Sequence, residues 1–306
     1  MTAAKLRAWF LLARPPFHSV GLLPFLAGSV MAVSDGYSWR WPVFLLGAAC
    51  VCLIMLATYL LGEYYDFPGD SLNANRNPFS GGSGVLQSCQ LIPRRHVLVA
   101  GYLAGVGAVF LGLALHLAFG IGRPALLLGA VGLVGGMFYS ARPFQWAYRS
   151  VGEGLIGFCY GWLTVNMGYY IIAGKLTALG TLVCLPVALS ITAVILINEF
   201  PDLEADAATG KRNLVVLMGL DRAARLYVGL IVGSAASVWL AVWSVAGLTW
   251  PWLLGPVLVT SAATLAVRSV ARGRHRHPRT VVGIMAATIG LNLLINLYYV
   301  VLFSFA

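Results

Sequence analysis

Long apolar runs broken by polar segments of very unequal length make up most of this chain. Nine stretches read as candidate membrane spans, over about residues 17–34, 41–61, 96–119, 124–140, 151–173, 177–198, 222–246, 250–268 and 280–304. Each approaches the roughly 20 residues an α-helix needs to cross a bilayer. Residues 1–16, with Trp9 and Phe10, read as an interfacial segment closed by Arg14-Pro15-Pro16, where consecutive prolines stop a helix and set the entry of the first span. A cleavable signal pattern is missing ahead of that span, so it is expected to stay. Two of the polar breaks stand out. The second run passes into Gly62-Glu63-Tyr-Tyr-Asp66-Phe-Pro-Gly-Asp70 and a polar loop reaching Arg95, and the sixth passes into Asn198-Glu-Phe-Pro-Asp202-Leu-Glu-Ala-Asp206.

These two breaks hold Glu63, Asp66, Asp70, Glu199, Asp202, Glu204 and Asp206, seven of the ten acids in the chain. Unpaired carboxylates beside lipid are costly, so such concentration marks a site. Asp66 and Asp202 are 136 positions apart, as are Asp70 and Asp206. A span followed by an acidic loop thus occurs twice at one offset, which predicts two pseudo-repeated halves whose clusters face each other.

Composition agrees with the spans. The chain is 59% hydrophobic and 10% charged, with mean hydropathy +0.84, whereas a soluble domain carries about 25% charged residues. The expected fold is an all-α integral membrane bundle of nine transmembrane helices forming one domain over residues 1–306, with site loops at 62–95 and 198–221. A net charge of +10 raises the possibility of nucleic-acid binding, but its distribution argues otherwise. With the N-terminus cytoplasmic, seventeen of the twenty Lys and Arg residues fall on the cytoplasmic side and only Arg40, Arg123 and Lys175 on the other. That bias follows the positive-inside rule and puts both acidic loops on the cytoplasmic face of a bacterial-type inner or plasma membrane. Membrane lipids, and not nucleic acid, are the expected surroundings.

Other features read as structural. The five cysteines lack metal-pair spacing and read as inert thiols. The pairs Gly101/Gly105, Gly132/Gly136 and Gly157/Gly161 predict close helix packing. Tyr169-Tyr170 are expected in an interfacial aromatic belt. The run Arg272 to His277 reads as a lipid-headgroup contact, because its histidines are badly spaced for a metal.

Asp202 and Asp206 lie four apart, so a short helix over 201–209 would set both side chains on one face about 5–6 Å apart, with Glu204 turned elsewhere. Asp66 and Asp70 share the spacing, but Pro68 and Gly69 between them predict a bend. Two facing carboxylate groups repel unless protons or cations lie between them. Oxygen donors without clustered His or Cys suit a hard ion such as Mg²⁺, which completes its shell with water and substrate phosphates. Arg76, Arg142, Arg149, Lys211 and Arg212 are predicted on the same face and suit an anionic substrate. Glu153 reads equally as a helix-terminal carboxylate or a substrate contact. The loop Ser80 to Gly84 reads as a lid, or as a phosphate cradle lacking the Lys-Ser/Thr of a P-loop. Together these features fit a prenyl diphosphate, whose head is anionic and whose tail belongs in lipid. A cation-coupled transporter is the competing class, though its acids would be expected at mid-membrane.

Asp66-Phe-Pro-Gly-Asp70, and Asn198-x₃-Asp202-x₃-Asp206-x₃-Gly210-Lys211-Arg212-x-Leu214, resemble the two aspartate-rich motifs of UbiA-type intramembrane prenyltransferases. Arg14-Pro15-Pro16 and Tyr148-Arg149-Ser-Val-Gly-Glu153 resemble secondary signatures of that family, and the menaquinone-branch enzymes look nearest. The resemblance implies that Asp66 and Asp70 hold one Mg²⁺ and that Asn198, Asp202 and Asp206 hold another. Where the family carries Asn-Asp this chain has Gly62-Glu63, with Glu63 in reach of the first ion. It further implies that Lys211 or Arg212 pulls on the diphosphate, that Tyr139 stabilises the allylic cation through its π face, and that an aromatic acceptor, 1,4-dihydroxy-2-naphthoate in the first instance, attacks it. Arg76, Arg142, Arg149, Glu153 and Arg212 are the further substrate contacts expected. A benzoate, homogentisate, tetrapyrrole or lipid acceptor is the alternative.

Overall fold

The computed structural model describes residues 2–88, 91–246 and 249–305, and among these every regular element is a helix. In chain order they are α1 (Ala3–Ala13), α2 (Ser19–Ser34), α3 (Trp41–Tyr65), α4 (Phe67–Leu72), α5 (Val85–Ser88), α6 (Arg94–Phe119), α7 (Arg123–Met137), α8 (Gly152–Ile156), α9 (Thr164–Ala173), α10 (Ala178–Asn198), α11 (Leu203–Ala208), α12 (Leu214–Ala246), α13 (Leu254–Ala271) and α14 (Pro278–Phe305). A π-helical turn, Gly157–Leu163, joins α8 to α9 into one span of residues 152–173.

Among the described residues eight helical stretches, with α1 and α2 taken together as Ala3–Ser34, are long and apolar enough to cross a membrane, and the protein is a multi-pass integral membrane protein. The ninth expected span, 124–140, corresponds to α7, which has only 15 residues. At 1.5 Å per residue it covers about 22 Å, short of a hydrocarbon core of about 30 Å. Gly122 and Pro124 start it, and Phe138 leaves helical geometry at its end. The break predicted at Arg14-Pro15-Pro16 is present: Arg14 adopts φ 49° between α1 and α2. On α1, Leu6 and Phe10 are exposed while Ala8 and Leu12 are buried, as an interfacial helix requires. Gly219, at φ 74°, interrupts α12 near its start. Asp221 beyond it pairs with Arg276 at 2.9 Å.

Helix α2 crosses α9 in backbone contact. A Cβ on Gly28 would overlap the Val165 carbonyl, and one on Gly168 would overlap that of Phe25. Ser29 Oγ donates to the Gly168 carbonyl at 3.0 Å across the same crossing. The predicted glycine pairs pack closely too, with Gly105 against Met137 and Gly161 against Ala188. Helices α10, α12 and α14 share a core with buried polar ties, Asn292 Nδ2 to Ser190 Oγ at 2.8 Å and Tyr227 Oη to Thr288 Oγ1 at 2.6 Å. Tyr169 is buried and donates to Asp35 at 2.7 Å, and Tyr170 is buried beside it. Their environment is therefore the helix interface and not a lipid-facing belt. Of the cysteines, Cys50, Cys52, Cys159 and Cys184 are free thiols, and Cys89 lies outside the described residues. His275 is buried and its Nδ1 faces the Val270 carbonyl at 3.1 Å.

Candidate active site

The two acidic breaks fold alike. Past α3, Asp66 begins the single-turn helix α4, and the Asp70 amide donates to the Asp66 carbonyl at 2.9 Å. Pro68 occupies the first turn, where a missing N–H costs nothing, so a helix forms where the sequence predicted a bend. Past α10, Asp202 begins α11 and the Asp206 amide donates to the Asp202 carbonyl at 2.8 Å. Each aspartate pair therefore lies one helical turn apart, and α4 packs against α11. Glu204 is exposed on the far face of α11.

Between the two pairs is a cavity of about 210 Å³ lined by Glu63, Asp66, Asp70, Asn198, Glu199, Asp202 and Asp206, with Arg14 and Lys211 as its cations. Gly210, at φ 76°, turns the chain back so that Lys211 Nζ lies 3.4 Å from Asp206 Oδ1. The carboxylates are aimed by neighbours that motif spacing does not reveal. Ser140 Oγ and Tyr148 Oη donate to the two oxygens of Asp66 at 2.6 and 2.8 Å. Asn73 Nδ2 donates to Asp202 at 2.6 Å and Asn213 Nδ2 to Asp206 at 2.7 Å. The Ser83 amide and hydroxyl donate to Glu63 at 2.6 and 2.9 Å, which folds the glycine-rich loop over the site. At Gly82, φ 67°, a Cβ would overlap the Asp70 carboxylate.

Burial and crowding shift these groups. Removal from water, then Asp66 and Glu63, push Asp70 up to about 8. Asp202 is pushed up to about 6 by burial, against the pull of Lys211, and Asp206 is raised for the same reason. Glu199 is raised far more by burial and by Glu153. Burial alone would lower Lys211, but Asp66 and Asp206 hold it well above its ordinary value. The site is thus a sink for positive charge. Among the described residues no three His, Cys, Asp or Glu side chains converge tightly enough to hold a metal by themselves. The donors nonetheless suit a hard cation sharing its shell with phosphate oxygens: all are oxygens, and the buried Oδ1 of Asn198 has no hydrogen-bond partner.

The family model for UbiA prenyltransferases matches residues 21–302. The chain belongs to that family and is a prenyltransferase. It is 30% identical over 243 residues, 76% of each chain, to the 1,4-dihydroxy-2-naphthoate octaprenyltransferase of Bacillus subtilis. It is 26% identical over 266 residues, 85% of each, to the enzyme of the same name from Escherichia coli. In fold it is similar to a UbiA homologue from Archaeoglobus fulgidus solved with GPP and Mg²⁺, with TM-score 0.69 and 16% identity over 97% of this chain and 99% of that one. A UbiA homologue from Aeropyrum pernix gives TM-score 0.70 and 18% identity over 93% and 97%.

In this UbiA-family protein the remaining predicted contacts do not all gather at the cavity. Tyr139 lines it. Arg76 donates to the Asp70 carbonyl at 3.1 Å and packs against Gly81 and Gly84, so it braces the loop from outside the cavity. Arg142, Arg149 and Arg212 are exposed and do not line it. Arg149 reaches the Pro143 carbonyl, and the Arg212 carbonyl accepts from Ser150. Glu153 is buried outside the cavity and accepts from the Leu214 amide at 2.6 Å, which makes it a cap for α12 and a neighbour of Glu199. Arg14, held over the Phe17 ring at 4.5 Å, is the second cation in their place. Its position before a double proline was the available signal.

Proposed function

We propose that this protein transfers a prenyl chain from a prenyl diphosphate to an aromatic acceptor, with 1,4-dihydroxy-2-naphthoate as the first candidate, in lipid-quinone synthesis. The observation that carries this reading is the pair of aspartate turns facing each other across a cavity that opens inward into apolar space. Asp66 and Asp70, with Glu63 beside them, form one ligand set for Mg²⁺, and Asn198, Asp202 and Asp206 form the other. Bound there, two ions supply charge neutralisation for the departing diphosphate. Lys211 and Arg14 add fixed positive charge at the same head group, and Tyr139 presents an aromatic face to the allylic carbon. The C–O bond breaks with its electron pair leaving on diphosphate. The acceptor ring carbon forms the new C–C bond with ring electrons and then loses a proton, or CO₂ where it carries the carboxylate, with that bond's electron pair returning to the ring. The apolar cavity keeps water from the cation.

The relatives named for 1,4-dihydroxy-2-naphthoate support that acceptor. A bacteriochlorophyll synthase chain from Chloroflexus aurantiacus is also similar, 24% identical over 283 residues, so a tetrapyrrole belongs in the test. The single family match over residues 21–302 supports one domain, and the charge bias of the loops supports a site on the cytoplasmic side of a bacterial-type plasma membrane. Purified protein is to be incubated with geranylgeranyl diphosphate, Mg²⁺ and a panel of naphthoate, benzoate, homogentisate and tetrapyrrole acceptors. The expected result is Mg²⁺-dependent diphosphate release with prenylated naphthoate as main product. Release with another acceptor only would replace the acceptor assignment, and no release with any would overturn the reading.

A further inference from the structure

The basic run after α13 does not hang free in solvent. Gly273, at φ 73°, turns the chain into a short 3-10 turn over Arg274–Arg276, and that turn packs back on α13 and α14. Beside it, between the start of α12 and the end of α13, is a groove of about 400 Å³. Asp221, Arg225 and Arg276 form its rim, and Ala224, Val228, Val270 and His275 line it below. The groove lies at the end of the bundle that carries the acidic turns. The His275 ring meets Phe200 edge-on, 6.0 Å between centroids, and Phe200 stands between Asn198 and Asp202 in the second acidic loop.

The groove is one-sided in charge. Residues 221–228 and 268–279 hold seven arginines and one acid, Asp221. Asp221 is taken up by Arg276 at 2.9 Å, which leaves most of that guanidinium's N–H donors for a second anion. Among the described residues Arg225 is in no ion pair. The walls are apolar. One turn beyond Val228, further along α12 from the acidic loops, Val232 is 53% exposed, so an apolar track leads from the charged rim into the bilayer. The lining also holds an unsatisfied acceptor. His275 is 7% exposed, and its Nδ1 faces the Val270 carbonyl at 3.1 Å. A carbonyl only accepts, so Nδ1 carries the hydrogen and Nε2 of the neutral ring is an acceptor. That Nε2 is buried without a hydrogen-bond partner, which is uncommon for a buried polar atom.

We propose that this groove binds an anionic phospholipid with a hydroxylated headgroup, of the phosphatidylglycerol class. Its phosphate lies between Arg225 and Arg276, a headgroup hydroxyl donates to His275 Nε2, and an acyl chain follows Val228 and Val232. A free phosphate would satisfy the arginines but make no use of the valine track. A zwitterionic lipid would bring an ammonium group among guanidinium groups. Seated there, the lipid stands behind Phe200 and supports the second acidic loop from outside the cavity.

The test is native mass spectrometry of the full chain in detergent, titrated with phosphatidylglycerol, phosphatidylethanolamine, phosphatidylmethanol and inorganic phosphate. Phosphatidylglycerol is expected to bind at least about tenfold tighter than phosphatidylethanolamine. Arg225→Gln combined with Arg276→Gln should weaken it about thirtyfold, the joint factor for two arginines at a lipid surface. Both side chains are exposed, so the fold should survive the exchange. Equal binding of the two lipids, or unchanged binding in the double variant, overturns the proposal. Displacement by millimolar inorganic phosphate also overturns it, since the groove would then be a free-phosphate site. Phosphatidylmethanol has the same charge without the hydroxyl, so wild-type protein should hold it about fivefold more weakly, the worth of one hydrogen bond. His275→Phe should erase that difference, and equal binding of the two by wild type overturns the His275 contact even if the variant fails to fold. These readouts need no turnover, so they decide the site whether or not the prenyl-transfer reading holds.

Discussion

At the scale of single residues, the site depends on how its carboxylates are aimed. Asp66 is fixed from two sides by Ser140 and Tyr148, and Asp202 by Asn73. On the proposed metal assignment, Asp66→Asn or Asp202→Asn removes a charge from one of the two ligand sets. Mg²⁺-dependent diphosphate release is expected to fall at least about a hundredfold, the scale of losing one main stabilising group, while the melting transition in detergent persists. Full activity in either variant would remove the basis for the metal assignment. Tyr148→Phe deletes one of the two hydroxyls that orient Asp66. Partners behind metal ligands are typically worth about 10–100-fold in affinity, so an Mg²⁺ titration of activity should shift to higher concentration by about tenfold or more.

At the scale of elements, two close approaches carry the architecture. The loop turn at Gly82 meets the Asp70 carboxylate with no room for a methyl group, and its left-handed φ costs an L-residue about 1–2 kcal/mol. Gly82→Ala should displace Asp70 and raise the Mg²⁺ needed for half-maximal activity, whereas a titration matching wild type would mean that the loop yields freely. The α2–α9 crossing permits no side chain at Gly168. Overpacking costs about 1–3 kcal/mol, so Gly168→Val should lower the melting temperature measurably in a thermal unfolding scan. An unchanged melting temperature would show that the helices separate without penalty.

At the scale of the whole molecule, six carboxyl groups around one cavity set the response to pH and metal. Asp70, with an ordinary value of 3.8, is pushed up to about 8 by burial and by the neighbouring acids, so the folded state holds a proton that the unfolded chain has released. Stability from this group is present below 3.8 and is lost as pH rises through about 8. Asp202, pushed up to about 6, acts in the same direction at lower pH. Without Mg²⁺ the melting temperature should therefore fall between pH 6 and pH 8. With Mg²⁺ bound the fall should vanish, because the cation replaces the protons. A melting temperature that rises over this range without metal would contradict the crowded-carboxylate account.

Much of this protein follows from its sequence alone. Bilayer thickness restricts which apolar runs can span, so the helices are readable from hydropathy. Helical periodicity places Asp202 and Asp206 on one face before any fold is known. Equal offsets in the two halves foretell that the acidic turns correspond. Only tertiary structure decides who stands across a gap. Ser140, Tyr148 and Asn73 are 74, 82 and 129 positions from the acids they hold, and even the motif that Tyr148 opens does not say which acid it holds. Arg142, Arg149 and Arg212 are expected on the site's side of the membrane, yet they stay outside the cavity because side of membrane is not distance. Even α7, apolar enough to resemble its neighbours, proves short. Hydrophobicity determines that a segment enters the bilayer, while helix packing determines what it leaves unfilled.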